Sequence, residues 1–373
     1  MHALDTTAID PALNWARAHE RHFSALFMAG GFAFDSWAFG RIDHPATQAV
    51  FIVYLLVAGV AIALQHGLES RPEEKRPSAR VRAAIMFVTQ FALGALLSGF
   101  CVFYVRSASL TASWPFLLFM AAIFIGSEVF RRYHSRLVFV ALLLFFSLYS
   151  YAIMLVPMLI GRIGRIPFLI SGVLAIFIFF CFMRAIARLG HDRYRGARMQ
   201  IRIGMLTIAA FINLFYFLKV FPPLPLVLTD AGIYHSVQLD RQTGLVTVSQ
   251  EDEPPRWQAL FGTNPVLHIQ PRDRLYLYSA VFAPSSLHTP IIHEWQWQDG
   301  QGNWITQQQV RIAIAGGRDD GYRFSTYKTA PKPGQWRVNI LSDDGRAIGR
   351  VRFAVETQAV PPALQTRVLK SGG

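Results

Sequence analysis

Cysteine is almost missing from this chain of 373 residues. The two copies, Cys101 and Cys181, both sit inside apolar runs, where a small, weakly polar side chain packs or faces lipid. The polar C-terminal part has none, which excludes a disulfide framework there. Acidic residues are scarce as well: 23 Asp and Glu stand against 36 Lys and Arg. Long apolar runs stop at Phe221-Pro222-Pro223-Leu224-Pro225, and nothing after that point is apolar enough to span a bilayer. Also missing are a phosphate-cradling glycine loop behind a strand and a nucleophile elbow. His19 and His22 lack a third partner at ligand spacing. The sequence therefore offers no catalytic set, no cofactor site and no metal site.

What it does offer before the break is a series of seven apolar segments, at 23–40, 47–66, 83–105, 110–130, 137–160, 167–187 and 203–222. A hydrocarbon core takes about 20 apolar residues as a helix, and backbone groups in lipid must be paired within the segment. These segments are expected to form a seven-helix transmembrane domain over 23–222, after a cytoplasmic N-terminal segment, 1–22. No short apolar stretch with a small-residue cleavage site precedes the first segment, so that segment is expected to act as an uncleaved anchor.

Basic residues set the orientation. They crowd alternate loops: Arg17 and Arg21; Arg71, Lys75, Arg76, Arg80 and Arg82; Arg131, Arg132 and Arg136; then Arg184 to Arg202. The intervening loops carry only Arg41, Arg106, Arg162 and Arg165, with Lys219 at the last exit. A bias of roughly four to one puts the N-terminus inside, and an odd number of spans puts the C-terminal part outside, in the periplasm or extracellular space, if the membrane is a bacterial inner membrane. The positive net charge is thus a topology signal that touches anionic lipid heads, and no nucleic-acid partner is expected. The bilayer is the first partner.

After the break, period-two alternation takes over. It marks Leu275–Val281, His293–Trp297, Val310–Ile314, Tyr322–Tyr327, Trp336–Ile340 and Val351–Val355. Turn dipeptides such as Asp299-Gly300, Gly316-Gly317 and Asp344-Gly345 separate them. The pattern predicts an all-β, immunoglobulin-like sandwich over 263–358. A juxtamembrane connector is expected at 223–262, with a hairpin from Ile233–Val237 to Leu245–Val248 and, around Trp257 and Phe261, either an interfacial turn of helix or a packed linker between domains. A flexible tail is expected at 359–373.

From His293 to Val355 the chain carries His293-x-Trp295, Arg323-x-Ser325-x-x-Lys328, Gly334-x-Trp336-Arg337-Val338, Asp344-Gly345-Arg346-x-x-Gly349 and Phe353-x-Val355. In order and spacing these resemble the C-terminal β-domain of an uncharacterised bacterial membrane family, catalogued as domain of unknown function DUF2914. Glu294 stands where the family commonly has Arg. The resemblance implies a multi-span protein with an envelope-facing β-domain and implies no chemistry.

Candidate binding residues are Arg323, Ser325, Lys328 and Arg337, which together would make a cationic patch for phosphate, carboxylate or an acidic glycan, and Trp304, expected near the surface. Trp295 and Trp336 fall on the apolar phase and are expected in the core. In the membrane half the polar residues deep in spans are Asp35, Gln90 and Asn213. The reading that follows is a non-enzymatic membrane protein whose external β-domain binds an envelope protein or acidic envelope polymer. The alternative is a membrane-embedded transporter or enzyme acting on lipid or glycan precursors, with the β-domain as accessory.

Overall fold

The computed structural model describes residues 32, 35, 40–107, 110–129, 137–240, 245–251, 264–316 and 321–369. Among the described residues from 40 onward six α-helices come first: α1 Pro45–Glu69, α2 Ala79–Ser107, α3 Leu110–Val129, α4 Leu137–Ile160, α5 Arg165–Leu189 and α6 His191–Phe217. Five of them, all but α3, are long and apolar enough to cross a membrane; in α3 the apolar core is the shorter Ser113–Gly126. The expected span at 23–40 lies outside the described residues apart from Phe32, Asp35 and Gly40. The helices expose many large apolar side chains, among them Leu56, Val60, Phe87 and Phe177. Apolar surface on that scale suits hydrocarbon as solvent, and the chain associates with membrane through these helices.

The sixth loop is shorter than its charge suggested. Residues 191–202, expected as cytoplasmic loop, are the first turns of α6, because arginines are good helix formers and extend an apolar helix into water.

The described residues fall into two compact units. One lies within Met1–Phe103, Met120–Ser147 and Ala185–Ala197, the other within Tyr104–Phe119, Leu148–Arg184 and Arg198–Gly373. In the first, Phe51 stacks on Phe100 with ring centroids 5.0 Å apart, and His66 Nε2 meets the Gly190 carbonyl at 3.1 Å. A Cβ at Gly190 would lie 2.0 Å from Ser70 Oγ, so the close approach of these segments requires glycine.

The second unit holds the end of α6, where the apolar runs stop. The helix closes with Lys219 at φ 59°, and Pro222, Pro223 and Pro225 forbid its continuation. Phe221 is buried, its ring 4.5 Å from Phe116 and 5.4 Å from Tyr104. Beyond it the described residues form eleven strands: β1 Val227–Tyr234, β2 Ser236–Leu239, β3 Val246–Gln250, β4 Val266–Ile269, β5 Arg274–Phe282, β6 His288–Gln298, β7 Trp304–Ala315, β8 Tyr322–Thr329, β9 Gly334–Ser342, β10 Ala347–Thr357 and β11 Gln365–Leu369.

They make three sheets, ordered β1-β5-β8, β4-β10-β9-β6-β7 and β11-β3-β2. The first and second share one core. Leu275 and Leu277 from β5 meet Trp295 from β6, Trp336 and Val338 from β9, and Phe353 from β10. A polar clasp crosses that core: buried His293 bonds Ser279 Oγ at 2.9 Å through Nε2 and Thr326 Oγ1 at 2.9 Å through Nδ1, and Trp295 Nε1 donates to Thr326 Oγ1 at 3.2 Å. Gly349 is where β10 passes β1; a Cβ there would lie 2.2 Å from Leu228 Cδ2.

Strands also form within the two stretches expected as connector and tail. The stretch 223–262 is no mere connector: β1 is built into the first sheet, antiparallel to β5. The expected hairpin does form, as β2 and β3. Nor is 359–373 a plain tail, since β11 pairs antiparallel with β3. The cause lies in β5, whose second phase is also apolar. Tyr278 and Ala280 are covered by Val246, Val248 and Leu369, so this strand is buried on both faces where one-sided alternation was expected. The turn around Trp257 and Phe261 lies outside the described residues.

The α4–α5 turn and the end of α6 hold the β region. Ser286 Oγ donates to the Met158 carbonyl at 2.7 Å and the His288 amide to the Gly161 carbonyl at 3.1 Å. In the β9–β10 turn, Arg346 is 4% exposed. Its Nε donates to Asp344 Oδ2 at 2.8 Å and its Nη1 to the Pro222 carbonyl at 3.1 Å. Its guanidinium lies 4.7 Å from the Tyr216 ring centre, and Tyr216 Oη donates to Asp344 Oδ2 at 3.0 Å. Burial pushes the Asp344 carboxyl up, but the Arg346 charge and the hydrogen bonds from Arg346, Ser342 and Tyr216 outweigh it and hold the group below the usual carboxylate range.

Burial pushes the His293 imidazole from 6.5 down to about 3, so it is neutral in the native state. Between those values the unfolded chain takes up a proton that the folded chain refuses, so stability falls as pH drops through this window and is level above it. For the full-length protein in detergent, denaturant unfolding followed by tryptophan fluorescence should show His293→Gln losing a slope of up to about 1.4 kcal/mol per pH unit between about pH 6 and pH 4. Equal slopes in variant and wild type would contradict this assignment.

Candidate anion-binding face

On β6, β9 and β10 alternate residues turn away from the shared core. With Trp295, Trp336 and Phe353 committed inward, the other phase carries Glu294, Gln296 and Gln298 on β6, Gln335, Arg337 and Asn339 on β9, and Arg350, Arg352 and Ala354 on β10. Register brings them side by side: Gln296 opposite Arg337 and Glu294 opposite Asn339, then Arg337 opposite Arg352 and Asn339 opposite Arg350. Like charges directly opposed across a sheet are unfavourable, and here two arginines are paired that way.

A hydrogen-bond lattice holds the face. Arg337 Nε donates to Gln296 Oε1 at 2.6 Å, and Arg350 Nε donates to Asn339 Oδ1 at 2.6 Å. Asn339 Nδ2 donates to Glu294 Oε2 at 2.9 Å and to Gln296 Oε1 at 3.1 Å. Glu294 Oε1 accepts from Gln309 at 2.8 Å and from Thr306 at 3.2 Å. The Arg337 guanidinium lies 4.3 Å from the Trp304 ring centre, a cation–π contact that orients both groups.

Arg337 and Arg350 thus share the Glu294 carboxylate, whose oxygens are already engaged, and Arg352 adds a third guanidinium beside them. Burial, then Arg350 and Arg352, push Arg337 down to about 10, with Glu294 alone acting the other way. Burial and Arg352 lower Arg350 as well. Arg352 is exposed beside a groove of about 600 Å³ that also takes in Trp304, Gln298 and Gln335. The chemistry of such a face is complementary to anions: guanidiniums offer paired donors to carboxylate or phosphate, and an anion would relieve their mutual repulsion.

The expected cationic patch does not assemble. Arg323 and Ser325 lie on β8 in the first sheet, on the phase opposite Tyr322 and Phe324, which pack on the shared core. Arg337 faces away from that core on the second sheet, so the two groups lie on opposite sides of it. Lys328 follows the phase of buried Thr326 rather than that of Arg323. The expectation failed because it assumed that neighbouring runs in sequence pair in space, whereas β8 pairs with β5 and β9 with β6 and β10. Trp304 and Arg337 do come together. Arg350, Arg352, Glu294, Gln296 and Asn339 were missed; the signal was the Asp344-Gly345 turn, from which counting back and forward puts Arg337 beside Arg352.

In the membrane half, Asn213 Nδ2 donates to Tyr149 Oη at 3.0 Å and to the Ala209 carbonyl at 2.8 Å, which binds helices together. Asp35 and Gln90 are half-buried and belong to the other compact unit.

Glu294→Gln would turn an acceptor toward Asn339 into a donor. Thermal unfolding of the full-length protein in detergent should show a loss of about 1–3 kcal/mol, partly recovered by added sulfate or phosphate. A variant as stable as wild type, indifferent to anions, would contradict this electrostatic reading.

No curated protein matches the chain. Among solved structures, the Pseudomonas fluorescens alkylpurine DNA glycosylase AlkC bound to DNA containing an abasic site analog is 8% identical. That match covers 85% of this chain and 99% of the other at a TM-score of 0.22, too low to carry any argument. Residues 288–355, which span β6 to β10 and so include the arginine face and the Asp344–Arg346 turn, match the family model described as protein of unknown function (DUF2914).

Proposed function

We propose that this chain is a non-enzymatic, multi-pass membrane protein that presents its β region outside the cytoplasm and binds an acidic envelope polymer, or an acidic envelope protein, through Arg337, Arg350 and Arg352. The observation that carries the reading is three guanidiniums side by side on an outward sheet face, with Arg337 directly opposite Arg352. A purely structural face gains nothing from opposed arginines, whereas a polyanion turns their repulsion into affinity.

The orientation rests on loop charge. Seven spans, with the first at 23–40, put the N-terminus in the cytoplasm and the β region in the periplasm or extracellular space of a bacterial inner membrane. The β region keeps an immunoglobulin-like character in this reading: two largely antiparallel sheets over one core, with β4 joining β10 in parallel and a third sheet added. Transport or lipid chemistry through Asp35, Gln90 and Asn213 finds less support, because the Asn213 amide is committed to Tyr149 and Ala209.

Full-length protein in lipid nanodiscs should bind linear polyphosphate and polygalacturonate, weakening with added salt as the Debye length shrinks below about 10 Å. Arg350→Gln with Arg352→Gln should cut affinity by about tenfold or more, and Arg323→Gln with Lys328→Gln should leave it unchanged. Loss with the β8 pair instead, or no binding by wild type, would overturn the proposal.

A further inference from the structure

The groove beside the arginine face has a chemistry of its own. It holds one guanidinium, Arg352, one indole, Trp304, and three carboxamides, Asn264, Gln298 and Gln335. The amides are set in place: Asn264 Nδ2 donates to Gln335 Oε1 at 3.1 Å, and Gln298 Nε2 donates to the Gly302 carbonyl at 3.0 Å. These bonds spend one hydrogen-bonding group of each amide and leave Asn264 Oδ1, Gln335 Nε2 and Gln298 Oε1 for other partners. Trp304 is half-buried and held by Arg337.

A polyphosphate would want several cations lining the groove, and among the described residues that line it Arg352 is the one cation. An extended peptide would add to a strand edge or fill deep apolar pockets, whereas this groove runs across the sheet face from β4 to β7, with Val266 and Ala354 as its small apolar lining beside Trp304. Neutral amides that donate and accept, a flat aromatic face and a single guanidinium fit a ring with several hydroxyls, one apolar face and one carboxylate. At about 600 Å³ the groove is also within the size range of small-ligand sites. We infer that this groove is a saccharide subsite that takes a uronic acid residue, its carboxylate on Arg352, its ring against Trp304 and its hydroxyls on Asn264, Gln298 and Gln335. The inference rests on the polyanion reading of the arginine face and names the polymer it serves: an acidic polysaccharide, with Arg337 and Arg350 attracting the charges that flank the bound unit.

The test uses the full-length protein in nanodiscs and three probes: trigalacturonate, its fully methyl-esterified form, and tripolyphosphate. Calorimetry should find trigalacturonate bound, with affinity down about tenfold for the neutral ester, whose carboxylate charges are gone. Gln335→Ala should weaken trigalacturonate by about tenfold while leaving tripolyphosphate unchanged, and Trp304→Leu, which also releases Arg337, should weaken trigalacturonate by about tenfold more than it weakens tripolyphosphate. If tripolyphosphate binds as tightly as trigalacturonate and neither substitution separates them, the sugar subsite is wrong and the cationic face stands. If no anion binds, both fall.

Discussion

The Asp344–Arg346 pair at the β9–β10 turn is the contact on which the rest of the β region depends. It is buried, and a buried guanidinium needs a counter-charge and hydrogen-bond acceptors to offset its desolvation. Here Asp344 answers one donor, the Pro222 carbonyl another, and the Tyr216 ring lies over the cation. Two of these partners belong to the end of the last helix and the proline break that follows it. The turn that aligns β9 with β10 is thus the same turn that fastens the β region to the membrane part. Removing either charge would leave the other buried and unpaired, at a cost of about 3–5 kcal/mol. The turn itself needs Gly345, at φ 78°.

From that fixed turn the register of β9 and β10 follows, and with it the opposition of Arg337 and Arg352. The strands are pinned by what they bury: Trp336 stacks near Phe353 with centroids 6.4 Å apart, and Gly349 lets β10 lie against Leu228. A one-residue slip would turn every arginine of the face into the core. The core therefore enforces an electrostatically unfavourable arrangement outside it, and this kind of imposed strain is what binding sites display. The same Trp336-Arg337 and Phe353 positions belong to the motifs that resemble DUF2914, so the match at 288–355 covers core, turn and face together.

Most of the fold was legible because its signals are strong and local. Long apolar runs gave the helices, and alternation gave strands β5 to β10. The strands β1 and β11 were not legible, since Val227–Tyr234 and Gln365–Leu369 carry little alternation; β1 acquires strand character by pairing with β5, and β11 by pairing with β3 in the sheet that covers the second apolar face of β5. The site was half legible. Trp304 and Arg337 were identified singly, but Arg350 and Arg352 looked like ordinary solvent-facing charges. Their meaning is a matter of strand order, which alternation does not encode. Arg323 and Lys328 misled for the same reason.

The account stands on the β region being displayed outside, with the membrane behind it. Ser325 is exposed on β8, away from the arginine face, and suits a reporter thiol. In a variant with Cys101 and Cys181 replaced by Ser, Ser325→Cys should react with a membrane-impermeant maleimide in intact spheroplasts as fully as in permeabilised ones. Labelling only after permeabilisation would put the arginine face in the cytoplasm and contradict the account.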